Sequence, residues 1–330
     1  MKIFVNIPKG AIRDSFLPPY VCSRLEEVGE TTYNNTEQAL VGEEFVERAK
    51  KADVVVTGWG QPLITAEMIP NVKMVAHTGG TVNGIIDESV YDAGIKVLSG
   101  NQYYAESVAE GVLAYMLFEL RRMGYYSNEL KAGNWIGPDL MYTEGLFDST
   151  VGIISVGAIS RLVIELLKPF RVKLKVFSTN RDMEFAKKYN FEYAELDEIF
   201  STCKIISVHT AANAKTHHMI KKEHFEMIKD GSIFINTSRG AVIDEAAFAE
   251  ELKKNRFRAL LDVYQIEPLP ADSPLLGLDN VTLFPHQAGP TTDRRPFVTS
   301  YLIDDIESHF SGGDVQNEVT KEIAARMTKS

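Results

Sequence analysis

The chain has 330 residues, of which 45% are hydrophobic and 24% charged, a balance that predicts a globular enzyme of two domains and excludes a disordered chain. Its formal charge of −10 argues against nucleic acid as a partner. The longest apolar runs fall short of the roughly 20 residues that cross a bilayer, and two cysteines provide no disulfide framework, so we expect no membrane partner and a reducing, cytoplasmic location.

Short β-rich runs alternate with helical patterns in the first hundred residues. The strand-like runs are 2–6, 52–58, 72–78 and 95–100, and the helical patterns are 42–51 and a short one at 87–92. This alternation favours a parallel sheet with crossover helices. A longer helical pattern at 105–122 exceeds a routine crossover, and we interpret it as a bridge into a second domain.

A second series of strands and helices follows. Strands are predicted at 150–155, 174–179, 204–209, 232–237, 258–263 and 281–285, with helices at 158–169, 182–189, 221–228, 244–255 and 292–311. Six strands in this alternation fit a doubly wound sheet of the dinucleotide-binding type. We therefore predict an α/β fold of two doubly wound parallel-sheet domains, Rossmann- or flavodoxin-like, separated by a cleft. Residues 1–103 plus 292–330 form a substrate domain, and 104–291 form an inserted dinucleotide-binding domain.

The segment 152–160, GIISVGAIS, stands where the glycine-rich loop of a dinucleotide site would lie. The three glycine positions of GxGxxG are occupied by Ser155, Gly157 and Ser160. Serine fits the outer positions if φ is negative, and Ser160 can then bring a hydroxyl near phosphate. Ser155, Gly157, Ala158 and Ile159 are the candidate contacts. Taken alone, the loop fits an ordinary strand–helix turn equally well.

The end of the next predicted strand lacks the expected acid. Asn180 stands where a carboxylate binds the ribose of NAD, and Arg181 follows it. This pair favours a 2′-phosphate and hence NADP over NAD. Two alternatives stay open, in which Arg181 only caps a surface loop or Asp182 swings in as the acid.

Three later stretches carry a resemblance to a known family. They are INTSRGAVIDEAAF (235–248), LLDVYQIEPLPADSPLLGLDNVTLFPHQAGPTTD (260–293) and STCKIISVHTAANAKTHHMI (201–220). Together with ESVAEGVLAYML (106–117), they resemble the D-isomer-specific 2-hydroxyacid dehydrogenases. In that family the arginine of N-T-x-R-G, the glutamate of D-V-(F/Y)-x-x-E-P and the histidine of P-H-x-A-G form the catalytic set, which here implies Arg239, Glu267 and His286.

These residue types suit the chemistry that the resemblance implies. Arginine offers a planar fork to a substrate carboxylate and leaves N–H groups for the carbonyl oxygen, which lysine does not. Histidine exchanges a proton near neutral pH, and a neighbouring carboxylate stabilises its imidazolium form. We therefore expect NAD or NADP, a small anionic 2-hydroxy or 2-keto acid held by Arg239 and His286, and no metal.

The resemblance also implies contacts to the nicotinamide half of the cofactor. They involve Asp262, which receives the carboxamide, and a set on two loops: His209, Thr210, Ala211, Thr237 and Ser238. The family usually has proline at the position of Ala211, so that contact is less defined here. Thr216 either joins this set or only caps a turn.

The segment 76–84, AHTGGTVNG, resembles the family's substrate loop, in which backbone N–H groups meet the substrate carboxylate. It implies contacts from Gly79, Gly80 and Thr81, although Thr81 replaces a glycine and Asn83 an aspartate. Trp59 and His77 are either substrate-facing or packed side chains. Arg294 and Arg295 are either surface or interface charges or a second anionic anchor.

The sequence leaves the oligomeric state, some alternative functions and the substrate open. The long helices flanking the inserted domain suggest a homodimer, as is usual in the family. A corepressor-like protein that senses a dinucleotide, a pseudoenzyme without cofactor and a formate dehydrogenase are alternatives. Glyoxylate, hydroxypyruvate, phenylpyruvate and branched-chain keto acids all stay open as substrates.

Overall fold

The computed structural model describes residues 1–328. The chain divides into two compact units, one made of Met1–Ser107 and the segment from Pro290 onward, the other of Val108–Gly289. Each unit is built on one parallel sheet flanked by helices, which confirms the predicted α/β fold class. Among the described residues, no helix has the length and apolar character needed to cross a membrane.

The first unit contains a five-stranded sheet. Its elements up to the bridge are β1 (Lys2–Val5), α1 (Ala11–Phe16), α2 (Pro19–Val28), β2 (Glu30–Tyr33), α3 (Gly42–Ala49), β3 (Val54–Thr57), β4 (Met74–His77), α4 (Glu88–Asp92) and β5 (Lys96–Ser99). The strand order is β2-β1-β3-β4-β5, all parallel. Every residue of β3 and β4 is buried, because helices cover both faces of a parallel sheet.

The second unit contains a seven-stranded sheet. Helix α5 (Asn101–Leu120) leads into it, followed by α6 (Met123–Lys131), β6 (Thr150–Ile154), α7 (Ala158–Leu167), β7 (Lys173–Phe177), α8 (Met183–Tyr189), β8 (Glu192–Tyr193), α9 (Leu196–Thr202), β9 (Ile205–Val208), α10 (Lys222–Met227), β10 (Ile233–Asn236), α11 (Glu245–Leu252), β11 (Arg258–Leu261) and β12 (Val281–Leu283). The order is β12-β11-β10-β9-β6-β7-β8, all parallel. The order reverses between β6 and β9, and a doubly wound sheet binds its ligand at the carboxyl ends of the strands around such a point.

The chain then returns to the first unit. Helix α12 (Arg295–Phe310) and the short α13 (Lys321–Ala324) end the described fold. The inner face of α12 packs Val298, Leu302 and Ile306 against the apolar residues of β1, β3 and β4. The C-terminal segment therefore completes the core of the unit in which the chain begins.

Two strands were not predicted from the sequence. Strand β2 reads ETTY and β8 reads EY, and both are edge strands with exposed or half-buried residues. Neither has the apolar run by which buried parallel strands are recognised. The inserted sheet therefore has seven strands rather than the six predicted.

Candidate active site

The carboxyl edge of the seven-stranded sheet collects the residues singled out from the sequence. His209 directly follows β9, Arg239 lies three residues beyond β10, Asp262 directly follows β11, and His286 lies three residues beyond β12. Parallel strands present their carboxyl ends at one edge. Residues that are far apart in the chain therefore share one face of this unit.

His286 and Glu267 form a direct pair. The distance from Nδ1 of His286 to Oε2 of Glu267 is 2.6 Å, and the other carboxylate oxygen accepts the backbone N–H of Tyr264 at 3.0 Å. Both side chains are partly exposed, at 46% and 34%. The pair thus fixes Nδ1 and leaves Nε2 as the ring nitrogen that Glu267 does not contact.

A second carboxylate holds the backbone beside His286. Asp262 is buried, and its two oxygens accept the N–H groups of Gln287 at 2.8 Å and Ala288 at 2.9 Å. Burial raises the pKa of Asp262, and the two backbone hydrogen bonds oppose that rise. His286 itself has φ of +51°, in the left-handed region that is uncommon for a residue with a side chain. The anchoring of this turn by Asp262 was not expected from the sequence, which indicated only a contact to cofactor.

The loop that carries Arg239 is shaped by its own neighbours. The side-chain oxygen of Asn236 accepts both the N–H and the hydroxyl of Ser238, and its amide donates to the carbonyl of Arg239 at 3.1 Å. A Cβ on Gly240 would lie 1.9 Å from the carbonyl carbon of Tyr264. The N-T-S-R-G stretch therefore packs its backbone against the segment that leads to Glu267, and only glycine fits there.

The guanidinium of Arg239 is part of the same site. It donates from Nη1 to the carbonyl of Ser238 at 2.7 Å, and the residue is half-buried. Burial lowers the pKa of Arg239, while the charge of Glu267 acts in the opposite direction. Arginine stays charged throughout the physiological range, so the site combines a half-buried cation with the His286–Glu267 pair.

The glycine-rich loop differs from expectation at both serines. Ser155 has φ of +81°, contrary to the negative value on which its fit was predicated. Ser160 is fully buried, and its oxygen accepts the N–H of Gly157 at 2.7 Å, so its hydroxyl caps α7 rather than facing a phosphate. Gly157 has φ of −134°, and a Cβ there would meet nothing within 4 Å. Neither the φ of Gly157 nor its packing therefore requires a glycine at this position. The open space beside its backbone fits a ligand that approaches closely.

The loop after β7 holds Asn180 and Arg181. Asn180 exchanges two hydrogen bonds with Ser178: the Ser178 hydroxyl donates to its carbonyl at 2.8 Å, and its own N–H donates back at 3.3 Å. Arg181 forms an exposed ion pair with Glu195 at 2.8 Å. Asp182 caps the N-terminus of α8. This loop therefore presents a guanidinium where a carboxylate would receive ribose.

The loops after β9 and β10 contain two buried polar atoms with no hydrogen-bond partner among residues 1–328, Nδ1 of His209 and Oγ1 of Thr237. The other nitrogen of His209 lies 3.0 Å from the Ser207 hydroxyl, and burial lowers the pKa of His209 to about 4. Such orphaned atoms are uncommon in folded proteins and fit a polar ligand at this edge. A dinucleotide over Gly157 is consistent with both observations.

Three further candidates on these loops have their side chains or backbone engaged within the protein. The hydroxyl of Thr216 donates to the carbonyl of Ala211 at 2.6 Å and accepts the N–H of Asn213 at 2.9 Å, so it closes the loop. Thr210 donates to the carbonyl of Ile154 at 3.4 Å.

Among the described residues, no three His, Cys, Asp or Glu side chains converge as metal ligands do.

The predicted substrate loop lies in the first unit, directly after β4. His77 is buried, its Nδ1 is 3.0 Å from the Thr57 hydroxyl, and burial lowers its pKa to about 4. A Cβ on Gly79 would lie 2.2 Å from Nε2 of His77, so the loop backbone passes tightly over this ring. The Thr81 hydroxyl donates to the carbonyl of Thr328 at 2.6 Å. His77 is therefore a packed residue that shapes the loop.

The remaining candidates of the first unit are Trp59, Arg294 and Arg295. Trp59 is 45% exposed and stacks edge-on against Phe16 with ring centroids 5.0 Å apart. Arg294 pairs with Glu106 at 3.4 Å. Arg295 donates to the carbonyl of Pro290 at 3.2 Å and to the Ser15 hydroxyl at 3.3 Å. Both arginines thus have partners within their own unit.

A doubly wound sheet that carries a histidine–carboxylate pair and an arginine at its carboxyl edge is the arrangement of a nicotinamide-dependent oxidoreductase. Residues 113–288 match the model of the D-isomer-specific 2-hydroxyacid dehydrogenases, NAD-binding domain. The chain belongs to this family, as its motifs predicted.

Individual relatives agree with the family match. The chain is 32% identical over 301 residues to the D-3-phosphoglycerate dehydrogenase of Methanocaldococcus jannaschii, covering 89% of this chain and 56% of that one. It is 27% identical to the glyoxylate reductase of Korarchaeum cryptofilum, covering 93% and 94%. A solved acyclic imino acid reductase in complex with NADPH and D-Arg superposes with a TM-score of 0.78 at 28% identity, covering 97% and 100%. The chain thus spans about half of the first relative and nearly all of the other two.

Proposed function

We propose that this protein uses NAD(P) to interconvert a D-2-hydroxy acid and its 2-keto acid, with His286, Glu267 and Arg239 acting on the substrate. The observation that carries the proposal is the 2.6 Å contact between Nδ1 of His286 and Oε2 of Glu267. A half-buried arginine on the same sheet edge adds the cation that an anionic substrate needs against the overall charge of −10.

His286 is the acid and base of the proposed reaction. Because Glu267 contacts Nδ1, the proton that moves is the one on Nε2. In reduction, Nε2–H donates to the carbonyl oxygen of the keto acid, and in oxidation Nε2 accepts the hydroxyl proton. The Glu267 carboxylate stabilises the imidazolium and holds the ring in one orientation. A bound nicotinamide supplies or accepts the hydride.

Arg239 binds the substrate carboxylate. Its guanidinium presents a fork of donors that matches a carboxylate, and the remaining N–H groups polarise the carbonyl oxygen. The half-buried position strengthens both interactions because water screens them less. In the first unit, the backbone N–H groups of Gly79, Gly80 and Thr81 are proposed as substrate contacts on the family resemblance of their loop.

The cofactor lies along the carboxyl edge of the inserted unit. Ser155, Gly157, Ala158 and Ile159 receive the pyrophosphate at the start of α7, since helix N-termini favour anions. The nicotinamide half is held by the two loops with orphaned atoms, which carry His209, Thr210, Ala211, Thr216, Thr237 and Ser238, while Asp262 receives the carboxamide. Residues 104–291 are then the dinucleotide-binding domain, and 1–103 with 292–330 the substrate domain.

We also propose a homodimer in a reducing, cytoplasmic setting. Segment 132–149 exposes Trp135 at 83% and Leu140 at 82%, with Met141, Tyr142 and Phe147 exposed nearby. Apolar groups concentrated in this way mark interaction surfaces more often than free surface. Light scattering should give twice the 36.9 kDa chain mass. Leu140→Asp should shift the protein to monomer, while Ile12→Asp, at a residue of the other unit that is 60% exposed, should not.

A keto acid panel with each reduced cofactor tests the reaction. Glyoxylate, hydroxypyruvate, phenylpyruvate and branched-chain keto acids are offered with NADH or NADPH, and the product's configuration is determined. We expect at least one to be reduced to its D-isomer. His286→Ala should lower kcat by about 10²- to 10⁴-fold and leave the Kd of the cofactor within about twofold. His309→Ala, on α12, is the matched control and should change neither quantity.

The other outcomes identify the alternatives. Saturable cofactor binding without turnover of any substrate favours a dinucleotide-sensing protein, and absence of binding favours a pseudoenzyme. Turnover that requires an added amine would indicate imine reduction, the chemistry named for the structural relative. Formate oxidation that is insensitive to His286→Ala would favour a formate dehydrogenase, whose substrate has no prochiral carbonyl to protonate.

A further inference from the structure

The loop of residues 178–182 is the part of the cofactor site that would contact the group by which NAD and NADP differ. It follows β7, and β7 is joined to the glycine-rich loop because the N–H of Ser155 donates to the carbonyl of Phe177 at 2.7 Å. In a sheet of this order, the ribose of the adenosine half binds at this strand end. The charges around the loop therefore decide between free ribose hydroxyls and a 2′-phosphate.

Asp182 is the only carboxylate in this loop, and both its oxygens are in use. Oδ1 accepts the N–H of Phe185 at 3.0 Å and caps α8, and Oδ2 accepts from Nη2 of Arg161 at 2.7 Å. The Arg161 hydrogen bond is the main cause that lowers the pKa of Asp182, followed by the helix N–H. Its own N–H donates to the Tyr193 hydroxyl at 2.7 Å. Asp182 is thus held in place and is not poised to receive a ribose.

Two guanidinium groups belong to this region, one from α7 and one from the loop itself. Arg161 is the fourth residue of α7, 42% exposed, and lies over the Phe185 ring at 4.3 Å. Arg181 is 51% exposed and lies over the Tyr193 ring at 5.5 Å. The aromatic rings limit the freedom of both side chains, so little further ordering is needed when an anion binds.

The present partners of these arginines are weak competitors for a phosphate. Exposed ion pairs such as Arg161–Asp182 and Arg181–Glu195 contribute little to stability, because water and salt screen them. A phosphate monoester brings up to two negative charges and three acceptor oxygens, and its charge-assisted contacts to arginine are correspondingly stronger. An arriving phosphate can therefore replace the carboxylate at each guanidinium.

We propose that Arg161, together with Arg181 of the loop itself, forms the 2′-phosphate site of NADP, so that this chain selects NADPH over NADH. The proposal rests on the proposed function, because it names the cofactor of that site. Arg161 exchanges Asp182 for the phosphate, and Asp182 remains the cap of α8. Cofactor choice then depends on a residue of α7 as much as on the strand end.

Fluorescence titration of the full chain with NADPH and NADH tests the assignment. The wild type should bind NADPH at least about tenfold more tightly than NADH. Arg161→Ala should remove that preference by weakening NADPH binding about tenfold or more, with the Kd of NADH within about twofold. Arg171→Ala is the matched control, because Arg171 is likewise exposed and paired, with Asp148 at 3.0 Å, and it should leave both affinities unchanged.

A second pair of measurements separates charge from folding. Asp182→Asn keeps an N-cap residue for α8 but removes the competing charge, so NADPH should bind about two- to fivefold more tightly while NADH does not. Adenosine 2′,5′-bisphosphate should bind more tightly than 5′-AMP in the wild type, with a difference that vanishes in Arg161→Ala. Circular dichroism and Tm confirm that each variant is folded.

The outcomes distinguish this proposal from the reaction on which it rests. Equal or tighter binding of NADH by the wild type, or an equal loss of both cofactors in Arg161→Ala, overturns the phosphate site even if keto acids are reduced. Selective, Arg161-dependent binding of NADPH without turnover of any keto acid supports the phosphate site and overturns the proposed reaction. Failure to bind either cofactor overturns both.

Discussion

The imidazole of His286 lies 2.6 Å from the carboxylate of Glu267, and the two residues that follow His286 are bound through their N–H groups to buried Asp262. One carboxylate orients the ring, and the other fixes the backbone that carries it. The three residues reach this position from two strand ends, β11 and β12. An acid–base group that is constrained from both sides needs little reorganisation during a proton transfer.

The contact of Glu267 with Nδ1 of His286 should govern the rate of catalysis. Glu267→Gln keeps the size of the side chain but replaces the carboxylate with an amide, so the ring loses the group that fixes its orientation. We expect kcat for keto acid reduction to fall about tenfold or more, with the Kd of the cofactor within about twofold. Glu245→Gln is the control, since Glu245 accepts the N–H of Gln265 in the same segment without touching His286. Equal kcat values for the wild type and Glu267→Gln would contradict the pairing role.

The same added methyl group should lower stability at Gly240 but weaken only cofactor binding at Gly157. Gly240→Ala places a Cβ 1.9 Å from the Tyr264 carbonyl carbon, so we expect a loss of about 3 kcal/mol or more in the free energy of unfolding. Gly157→Ala meets nothing within 4 Å and should leave Tm unchanged while weakening cofactor binding about tenfold. Denaturant unfolding and cofactor titration of both variants check this. A large fall in Tm for Gly157→Ala would show that the glycine is structural.

Serine at position 155 should make the folded protein less stable than glycine would. Its φ of +81° lies in a region that residues with a Cβ adopt at a cost. Ser155→Gly should therefore raise the free energy of unfolding by about 0.5–1 kcal/mol. Urea midpoints at equal m-value measure the difference. Ser149→Gly, at a position without positive φ in the same unit, should be neutral or destabilising, and a loss of stability in Ser155→Gly would contradict the strain.

His77 should make the fold sensitive to mild acid. Burial lowers its pKa in the folded protein to about 4, below the ordinary 6.5. Between these values the unfolded chain binds the proton and the folded chain does not, so stability is present above about pH 6.5 and is lost as the pH falls toward 4. The full shift corresponds to about 3 kcal/mol. His77→Asn should show a smaller fall in urea midpoint between pH 7 and 4.5 than the wild type, and identical falls would contradict this.

The positions of the candidate site residues could be predicted from the sequence because the family motifs place these residues just beyond buried strands. Arg239, His286 and the residues after β9 all lie there, and parallel strands bring such positions to one edge. Apolar runs such as β3 and β4 were recognised for the same reason, since both faces of a parallel sheet are covered. The edge strands β2 and β8 lack that pattern and were missed.

The conformations of the two serines in the glycine-rich loop could not be predicted from the sequence. Residue type alone indicated that Ser155 and Ser160 were tolerable, but the sign of φ at Ser155 depends on how β6 enters α7. The inward direction of Ser160 follows from its capping bond to Gly157. The φ of Ser155 and the direction of the Ser160 side chain both depend on how the turn packs between the sheet and the helix. The hydrophobic periodicity of the sequence does not predict this packing.

By itself, the sequence determined the fold class, the family and the residue types that meet at the carboxyl edge, because these follow from apolar patterns and from motifs whose members are close in the chain. Only the tertiary structure decided which groups are partners. Asp262 holds the turn after His286, and Arg161 holds Asp182 from a different helix. A hydrogen bond between residues some twenty positions apart depends on how strands and helices align, and that alignment is a property of the packed unit.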